Sequence, residues 1–211
     1  MKKNDYETIA RQLSCPSGQD GIGTGQQMQE TNGHMIRETL KVLDADGKSV
    51  LELGYGNGAH VGSLSEMYPN ADYHGLEIST TMYQEARQLN TTGRQFDWYN
   101  GKDIPMDSGS LGVVFSVNTV YFWEDPTQLL QEIYRVLKGT GELVLAFRDR
   151  EFMASLPFVA YGFQLYSTEE LCGLLTTAGF KIRDTYQGTE VSPSILQDMK
   201  TKNYCIIIAY K

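Results

Sequence analysis

Residues 50–60 read Val-Leu-Glu-Leu-Gly-Tyr-Gly-Asn-Gly-Ala-His, and this stretch decides the fold. Three glycines alternate with larger residues after a short apolar run, which is typical of a β-strand that ends in a loop open to a ligand. Such loops often hold nucleotide phosphates. Here Glu52 stands two residues before the first glycine, Gly54. A carboxylate about 4 Å from a phosphate charge would oppose it by about 4 kcal/mol. The stretch therefore favours a ligand that lacks phosphate and carries a positive charge.

Strand-like and helix-like patterns alternate along the rest of the chain. Apolar runs predict strands at 49–53, 72–78, 94–99, 111–117 and 141–147, and helical spacing predicts helices at 59–68, 80–90, 126–137 and 168–178. Such repeated units predict a Rossmann-like α/β fold, a doubly wound and mostly parallel sheet with helices on both faces. Two last strands, at 181–187 and 204–210, have no helical pattern between them. We expect them to form an antiparallel pair at the C-terminal edge of the sheet.

The length of 211 residues fits a single domain with one continuous core. Four segments are expected within residues 1–211: an N-terminal helical cap at 1–47, a cofactor-binding core at 48–148, a lid-like segment at 149–166, and a C-terminal helix and strands at 167–211. In the cap, helices are predicted at 5–13 and 27–43. Residues 15–26 hold four glycines and a proline, which predicts a loop between these helices.

Composition excludes several classes of function. The net charge is −8, and the lysines and arginines are scattered, which argues against nucleic-acid binding. No run approaches the roughly 18 apolar residues that a membrane span needs. Three dispersed cysteines and three dispersed histidines offer no metal-ligand pattern, so no metal site is predicted. The N-terminus lacks the apolar region of a secretory signal, which favours a cytoplasmic location.

A second acidic residue extends the binding pattern. Glu77 follows Gly54 by 23 residues, at the predicted end of the second strand. An acid there can accept hydrogen bonds from both ribose hydroxyls of an adenosine, a feature that NAD enzymes share. S-adenosylmethionine combines an adenosine with a sulfonium cation and an amino-acid head. It therefore satisfies both Glu52 and Glu77.

Four stretches together resemble class I S-adenosylmethionine-dependent methyltransferases of the small-molecule type 11 group. They are VLELGYGNG at 50–58, GLEIS at 75–79, DIPMDSGSLGVVFSVNTVYFWEDP at 103–126 and EIYRVLKGTGELVLAF at 132–147. They occur in the order and at the spacing that this family shows. The resemblance covers about residues 48–148.

The resemblance implies a role for each residue that matches the family pattern. Its cofactor-binding residues would be Glu52 with the loop residues Gly54, Tyr55, Gly56, Asn57 and Gly58 at the methionine end, Glu77 at the ribose, Ile78 on the adenine face, and Asn118 near the sulfonium. The family often has an Asp before a small residue at the adenine amine. This chain has Asn100-Gly101 there, or Asp103 if the register differs.

The predicted acceptor pocket follows the fourth and fifth strands. Tyr121 and Trp123 come after the fourth strand, and Phe152 and Tyr161 lie in the aromatic-rich segment after the fifth. These residues predict a small apolar or aromatic acceptor. Methyl transfer needs a general base only if the acceptor must lose a proton, so no catalytic residue is assigned. The oligomeric state is left open, with a homodimer as one option.

Two other functions remain open at this point. A non-catalytic protein that senses S-adenosylmethionine would keep Glu52 and Glu77 but lack an acceptor pocket. An NAD-type oxidoreductase fits less well, because Glu52 opposes a pyrophosphate and no catalytic set for hydride transfer is evident.

Overall fold

A computed structural model describes residues 3–90 and 94–211, and these residues form a seven-stranded sheet. The strand order is β3-β2-β1-β4-β5-β7-β6. The strands are β1 Ser49–Leu53, β2 Asp72–Glu77, β3 Gln95–Trp98, β4 Leu111–Val117, β5 Leu137–Arg148, β6 Lys181–Pro193 and β7 Met199–Tyr210. Strands β1 to β5 pair in parallel, and β7 runs antiparallel to both β5 and β6. The predicted sheet, with its antiparallel pair at the C-terminal edge, is confirmed.

The β6–β7 hairpin is longer than predicted. Pairing continues past Gly188 opposite Tyr204 as far as Pro193 opposite Met199. Most side chains of β6 are exposed or half-buried, so its polar sequence shows no apolar alternation. Residues 188–193 therefore form a strand because they pair with β7, and their own sequence pattern does not predict it.

Helices cover both faces of the sheet, as predicted. They are α1 Lys3–Ser14, α2 Gly18–Val42, α3 Val61–Met67, α4 Thr80–Leu89, α5 Pro126–Val136, α6 Arg150–Ala154 and α7 Thr168–Thr177, with a short 3₁₀ turn at Val120–Phe122. Two serines cap helices: the Ser79 hydroxyl accepts from the Met82 N–H, and Ser167 forms a capping box with Glu170. No helix in residues 3–90 and 94–211 has the length and apolar composition to cross a membrane.

The predicted loop at residues 15–26 is wrong, because α2 begins at Gly18 and runs through it. The glycines serve close packing here. A Cβ on Gly21 would lie 2.7 Å from the carbonyl carbon of Pro16, and one on Gly25 would lie 2.5 Å from Sδ of Met82. Helix propensity disfavours glycine, but these contacts at one helix face outweigh it. The helices predicted at 5–13 and 27–43 are present within α1 and α2, with Leu43 as the C-cap residue of α2, and residues 1 and 2 lie outside the described residues.

Two apolar layers hold the sheet between the helices. On one face, Leu51, Val114 and Leu145 pack in a buried cluster with side chains of α5 and α7. On the other face, Val50 and Phe115 pack with side chains of α2, α3 and α4. This sandwich fixes the carboxyl ends of β1, β2 and β4 next to each other, where ligands bind in sheets of this type.

We predict opposite effects for two glycine-to-alanine changes in α2. Gly21→Ala should lower the free energy of unfolding by about 1–3 kcal/mol, because the new methyl group meets the Pro16 backbone. Gly23→Ala is the matched control, since Gly23 has no atom within 4 Å of its Cβ position. It should raise the free energy of unfolding by up to about 1 kcal/mol through helix propensity. Urea unfolding measures both, and a Gly21→Ala variant as stable as the wild type would contradict this packing.

Candidate functional site

A cavity of about 140 Å³ lies at the carboxyl ends of β1, β2 and β4. Its floor contains nine of the twelve predicted cofactor-binding residues: Glu52, Gly54, Tyr55, Gly56, Asn57, Glu77, Ile78, Gly101 and Asn118. Its roof comes from α1 and α2, through Leu13, Gly25, Met28, Gln29 and Asn32. The sequence pattern of the strands did not indicate the roof residues. The tertiary fold brings α2 over the sheet.

The glycine loop after β1 needs glycine for conformation and for space. Gly54 has a φ of 77° and its N–H donates to the Leu76 carbonyl at 2.7 Å. A Cβ on Gly54 would lie 2.3 Å from Cγ2 of Thr119. Gly56 has a φ of 60° and its N–H turns toward β2. The backbone therefore forms the cavity wall here, as the sequence predicted.

Glu77 joins the loops that follow β1 and β2. One carboxylate oxygen accepts from the Gly56 N–H and the other from the Ser79 N–H, each at 2.9 Å. The side chain is buried, and this burial raises the pKa of Glu77 to about 7. The backbone donors oppose that shift, and the nearby charge of Glu52 adds to it. Each oxygen keeps a further lone pair with which it can accept a hydrogen bond from a ligand.

Glu52 belongs to a buried network that the sequence did not indicate. Both of its oxygens lie 2.9 Å from Nε2 of His60, and the Tyr73 hydroxyl donates to it at 2.6 Å. Burial acts to lower the pKa of His60, but the Glu52 carboxylate raises it more, so the net direction is upward. His60 and Tyr73 therefore hold the Glu52 carboxylate in place. Because Glu52 is paired with His60 and Tyr73, the repulsion between this carboxylate and a phosphate is weaker than the repulsion expected from a free carboxylate.

His60 itself lines the cavity, and its Nδ1 is buried with no hydrogen-bond partner among the described residues. A buried ring nitrogen without a partner is costly, so this atom favours a ligand with a matching polar group. The only sequence signal was a histidine at the end of the glycine stretch, eight residues after Glu52.

Asn118 stands at the switch in strand order between β1 and β4. Its φ is 60°, a left-handed conformation that is uncommon outside glycine. Its N–H donates to the Ala146 carbonyl at 2.8 Å, and its side-chain oxygen accepts from the Tyr121 hydroxyl at 3.2 Å. Such conformations cluster at functional sites, where the surrounding structure enforces them.

Three predicted cofactor residues do not line the cavity. Asn100 accepts from the Lys102 and Asp103 N–H groups and donates to the Asp103 carboxylate at 2.7 Å. Gly58 packs beneath Asn90 and Phe96. Unlike its neighbour Asn100, Gly101 lines the cavity, where it lies beside Ile78. The predicted contacts of Asn100, Asp103 and Gly58 with a cofactor stay predictions.

A second cavity of about 100 Å³ adjoins the first. The two cavities share Leu13, Met28, Asn32, Asn118 and Phe122. Its remaining apolar wall is built largely by the segment after β5, through Phe152, Met153, Leu156, Phe158 and Phe163. Of the predicted acceptor-binding residues, Tyr121 and Phe152 line this cavity and Trp123 lines the first. Tyr161 packs against the core cluster and lines neither cavity, so its role stays a prediction.

The arrangement matches known proteins in sequence and in fold. Residues 51–145 match the family described as a methyltransferase domain. An uncharacterized methyltransferase, YdaC, of Bacillus subtilis is 29% identical over 110 residues, which is 52% of this chain and 61% of that protein. A fatty-acid O-methyltransferase of Mycolicibacterium smegmatis is 27% identical over 119 residues, 54% of this chain and 43% of that protein. The chain thus spans less than two thirds of the length of either relative.

Two solved structures share the fold over most of the chain. A putative methyltransferase of Haloferax volcanii, in complex with the Trm112 methyltransferase activator, matches with a TM-score of 0.79 and 20% identity. The match covers 88% of this chain and 92% of that one. A S-adenosylmethionine-dependent methyltransferase of Thermotoga maritima, a possible histamine N-methyltransferase, matches with a TM-score of 0.69 and 22% identity, over 90% of this chain and 95% of that one. Residues 51–145 thus match a methyltransferase domain, and most of the chain has the fold of solved S-adenosylmethionine-dependent methyltransferases.

Proposed function

We propose that this protein transfers a methyl group from S-adenosylmethionine to a small apolar or aromatic acceptor. The observation that carries the proposal is the pair of adjoining cavities. One contains the glycine loop, Glu52 and Glu77, and the other has an apolar wall. Asn118 and Phe122 belong to both. A cofactor in the first cavity and an acceptor in the second would therefore meet beside these two residues.

The residues of the first cavity fit the chemical groups of S-adenosylmethionine. The buried carboxylate of Glu77 can accept from the ribose hydroxyls. Ile78 and Tyr99 offer apolar surface for the adenine. The unpartnered Nδ1 of His60 can donate to the carboxylate of the amino-acid head. The Glu52 carboxylate can approach the amino group of that head.

When bound, S-adenosylmethionine supplies a methyl group that is activated by a sulfonium leaving group. The protein then has to hold the acceptor in line behind that methyl group and to exclude water. Leu13 and Met28 of the roof, with Phe122, close the shared wall with apolar surface. This arrangement orients the acceptor and keeps the junction dry.

The alternative functions have less support. A protein that only senses S-adenosylmethionine would need no second cavity, yet an apolar cavity adjoins the first. The relative that acts on fatty acids is named for an apolar acceptor, which agrees with the aromatic wall of the second cavity. For an NAD-type oxidoreductase, no feature of the two cavities supplies a specific argument.

We predict that the protein binds S-adenosylmethionine and S-adenosylhomocysteine in preference to NAD. Isothermal titration calorimetry with the three ligands measures this preference. The expected result is a dissociation constant for S-adenosylhomocysteine at least about 100-fold below that for NAD, a difference of about 2.7 kcal/mol. Tight binding of NAD, with no response to either sulfur compound, would reject the proposal.

Replacing Glu77 by alanine should weaken cofactor binding by about 1–3 kcal/mol, because a buried acceptor for the ribose hydroxyls is lost. The measurement is calorimetry with S-adenosylhomocysteine. Glu66→Ala is the control, since Glu66 is exposed and lies outside the lining of the first cavity. Equal affinities for wild type and Glu77→Ala would show that the ribose is held elsewhere.

Glu77 should also make stability depend on pH. Its pKa in the folded protein is about 7, above its ordinary value of 4.5, so the folded state holds a proton that the unfolded state releases. This group therefore stabilises the folded state less as pH rises from 4.5 to 7. Between pH 5 and pH 8, the Glu77→Gln variant should gain roughly 2–3 kcal/mol in unfolding free energy relative to the wild type.

The control for this pH effect is Glu132→Gln, because Arg135 lowers the pKa of Glu132. That carboxylate is charged in both states between pH 5 and pH 8, so its variant should show a constant offset from the wild type. Urea unfolding at the two pH values measures both differences. A constant offset for Glu77→Gln as well would show that Glu77 titrates near its ordinary pKa.

A further inference from the structure

Two buried cations stand in the otherwise largely apolar lining of the second cavity. Arg148, at the end of β5, and Lys202, in β7, are each 3% exposed. The aromatic side chains that form the rest of the wall cannot balance their charge. Buried cations of this kind are normally paired with carboxylates, so their partners decide what the cavity can bind.

The Arg148 guanidinium is only partly satisfied. Its Nη2 donates to the Glu190 carboxylate, and it lies 3.4 Å from the Thr31 carbonyl and from the Asn32 side-chain oxygen. Its Nη1 is buried and has no hydrogen-bond partner among the described residues. The guanidinium is planar, and its paired N–H groups match the two oxygens of a carboxylate. The Nη1 side of this group therefore has no acceptor among the described residues.

The Lys202 ammonium has neutral partners. Its Nζ donates to the Thr31 carbonyl at 3.0 Å and to the Pro193 carbonyl at 2.6 Å. Burial and the nearby charge of Arg148 lower the pKa of Lys202 to about 8, and the opposing charges of Glu190 and Asp198 do not cancel this shift. The nearby carboxylate of Asp198 is half exposed and pairs with Lys200.

The charges at this end of the cavity therefore do not balance. Arg148 and Lys202 contribute two positive charges, and Glu190, which is 9% exposed, contributes one negative charge. Asp149 caps α6 by accepting from the Phe152 N–H, and it does not line the cavity. One further negative charge would restore neutrality in a site where water is largely excluded.

We propose that the second cavity binds a methyl acceptor with one carboxylate on an apolar or aromatic body. Arg148 and Lys202 hold the carboxylate, and Phe152, Leu156, Phe158 and Phe163 hold the body. This proposal rests on the proposed function, because it assigns the substrate class of that same site. A single charge matches a carboxylate better than a phosphate ester, which carries about −1.5 to −2 at neutral pH.

The test measures binding of matched acids and amides to protein saturated with S-adenosylhomocysteine. The probes are benzoate with benzamide, octanoate with octanamide, and phenyl phosphate, each followed by calorimetry at neutral pH. Each acid should bind at least about tenfold more tightly than its amide, and benzoate should bind more tightly than phenyl phosphate. Equal binding of acids and amides, no binding by any acid, or tighter binding of phenyl phosphate would each overturn the proposal.

Lys202→Gln is the decisive variant, because glutamine keeps a donor for the two backbone carbonyls and removes the charge. It should reduce the preference of acid over amide to about threefold or less and leave affinity for S-adenosylhomocysteine unchanged. Lys200→Gln is the matched control on the same strand, since Lys200 is more exposed and pairs with Asp198. It should keep the wild-type preference. A Lys202→Gln variant that also keeps it would overturn the proposal.

A double variant controls for loss of folding in the single variant. Arg148→Gln combined with Glu190→Gln removes the ion pair without leaving either charge buried alone. It too should lose the preference for acids, and retention of that preference would contradict the assignment of Arg148.

The two proposals fail in distinguishable ways. If neither S-adenosylmethionine nor S-adenosylhomocysteine binds, the proposed function fails, and the acids and amides are then compared on the protein alone. If S-adenosylhomocysteine binds and the acids show no preference, only the present inference fails.

Discussion

The site depends on one buried carboxylate. Glu77 accepts from the backbone of Gly56 in the loop after β1 and from the backbone of Ser79 in the loop after β2. Without this bridge, two adjacent loops would leave buried N–H groups without acceptors. Because the bridge lies at the bottom of the first cavity, the group that holds the loops together is also available to a ligand. Its raised pKa is the consequence of this burial.

A second buried network supports the same wall from the side of β1. Tyr73 in β2 and His60 before α3 both contact Glu52, so the orientation of this carboxylate is set by neighbours on two elements. The roof is formed by α2, which comes close to α4 because Gly25 leaves room for Met82. The cavity is therefore a product of three contacts between distant segments. In each of these contacts, at least one residue has a role that its neighbours along the chain do not indicate.

The second cavity combines apolar walls with an uneven set of charges. The aromatic side chains after β5 line it, and the β6–β7 hairpin contributes Lys202 to the lining, while Glu190 of the same hairpin pairs with Arg148. The cation of Arg148 lies over the ring of Tyr204, with 5.9 Å between the guanidinium carbon and the ring centroid. In the proposed binding mode, the charges of this wall would orient the acceptor and the aromatic side chains would contact its body.

The sequence by itself determined the mostly parallel sheet with its antiparallel edge, the succession of its first five strands and their helices along the chain, and the glycine loop after the first strand. These features follow from local patterns, namely apolar periodicity and glycines that need a positive φ. Only the tertiary structure decided that residues 18–26 are helical, that His60 pairs with Glu52, and that Arg148 and Lys202 meet in one cavity. These depend on close contacts between segments that are distant along the chain, and helix propensity or strand alternation carries no information about such contacts.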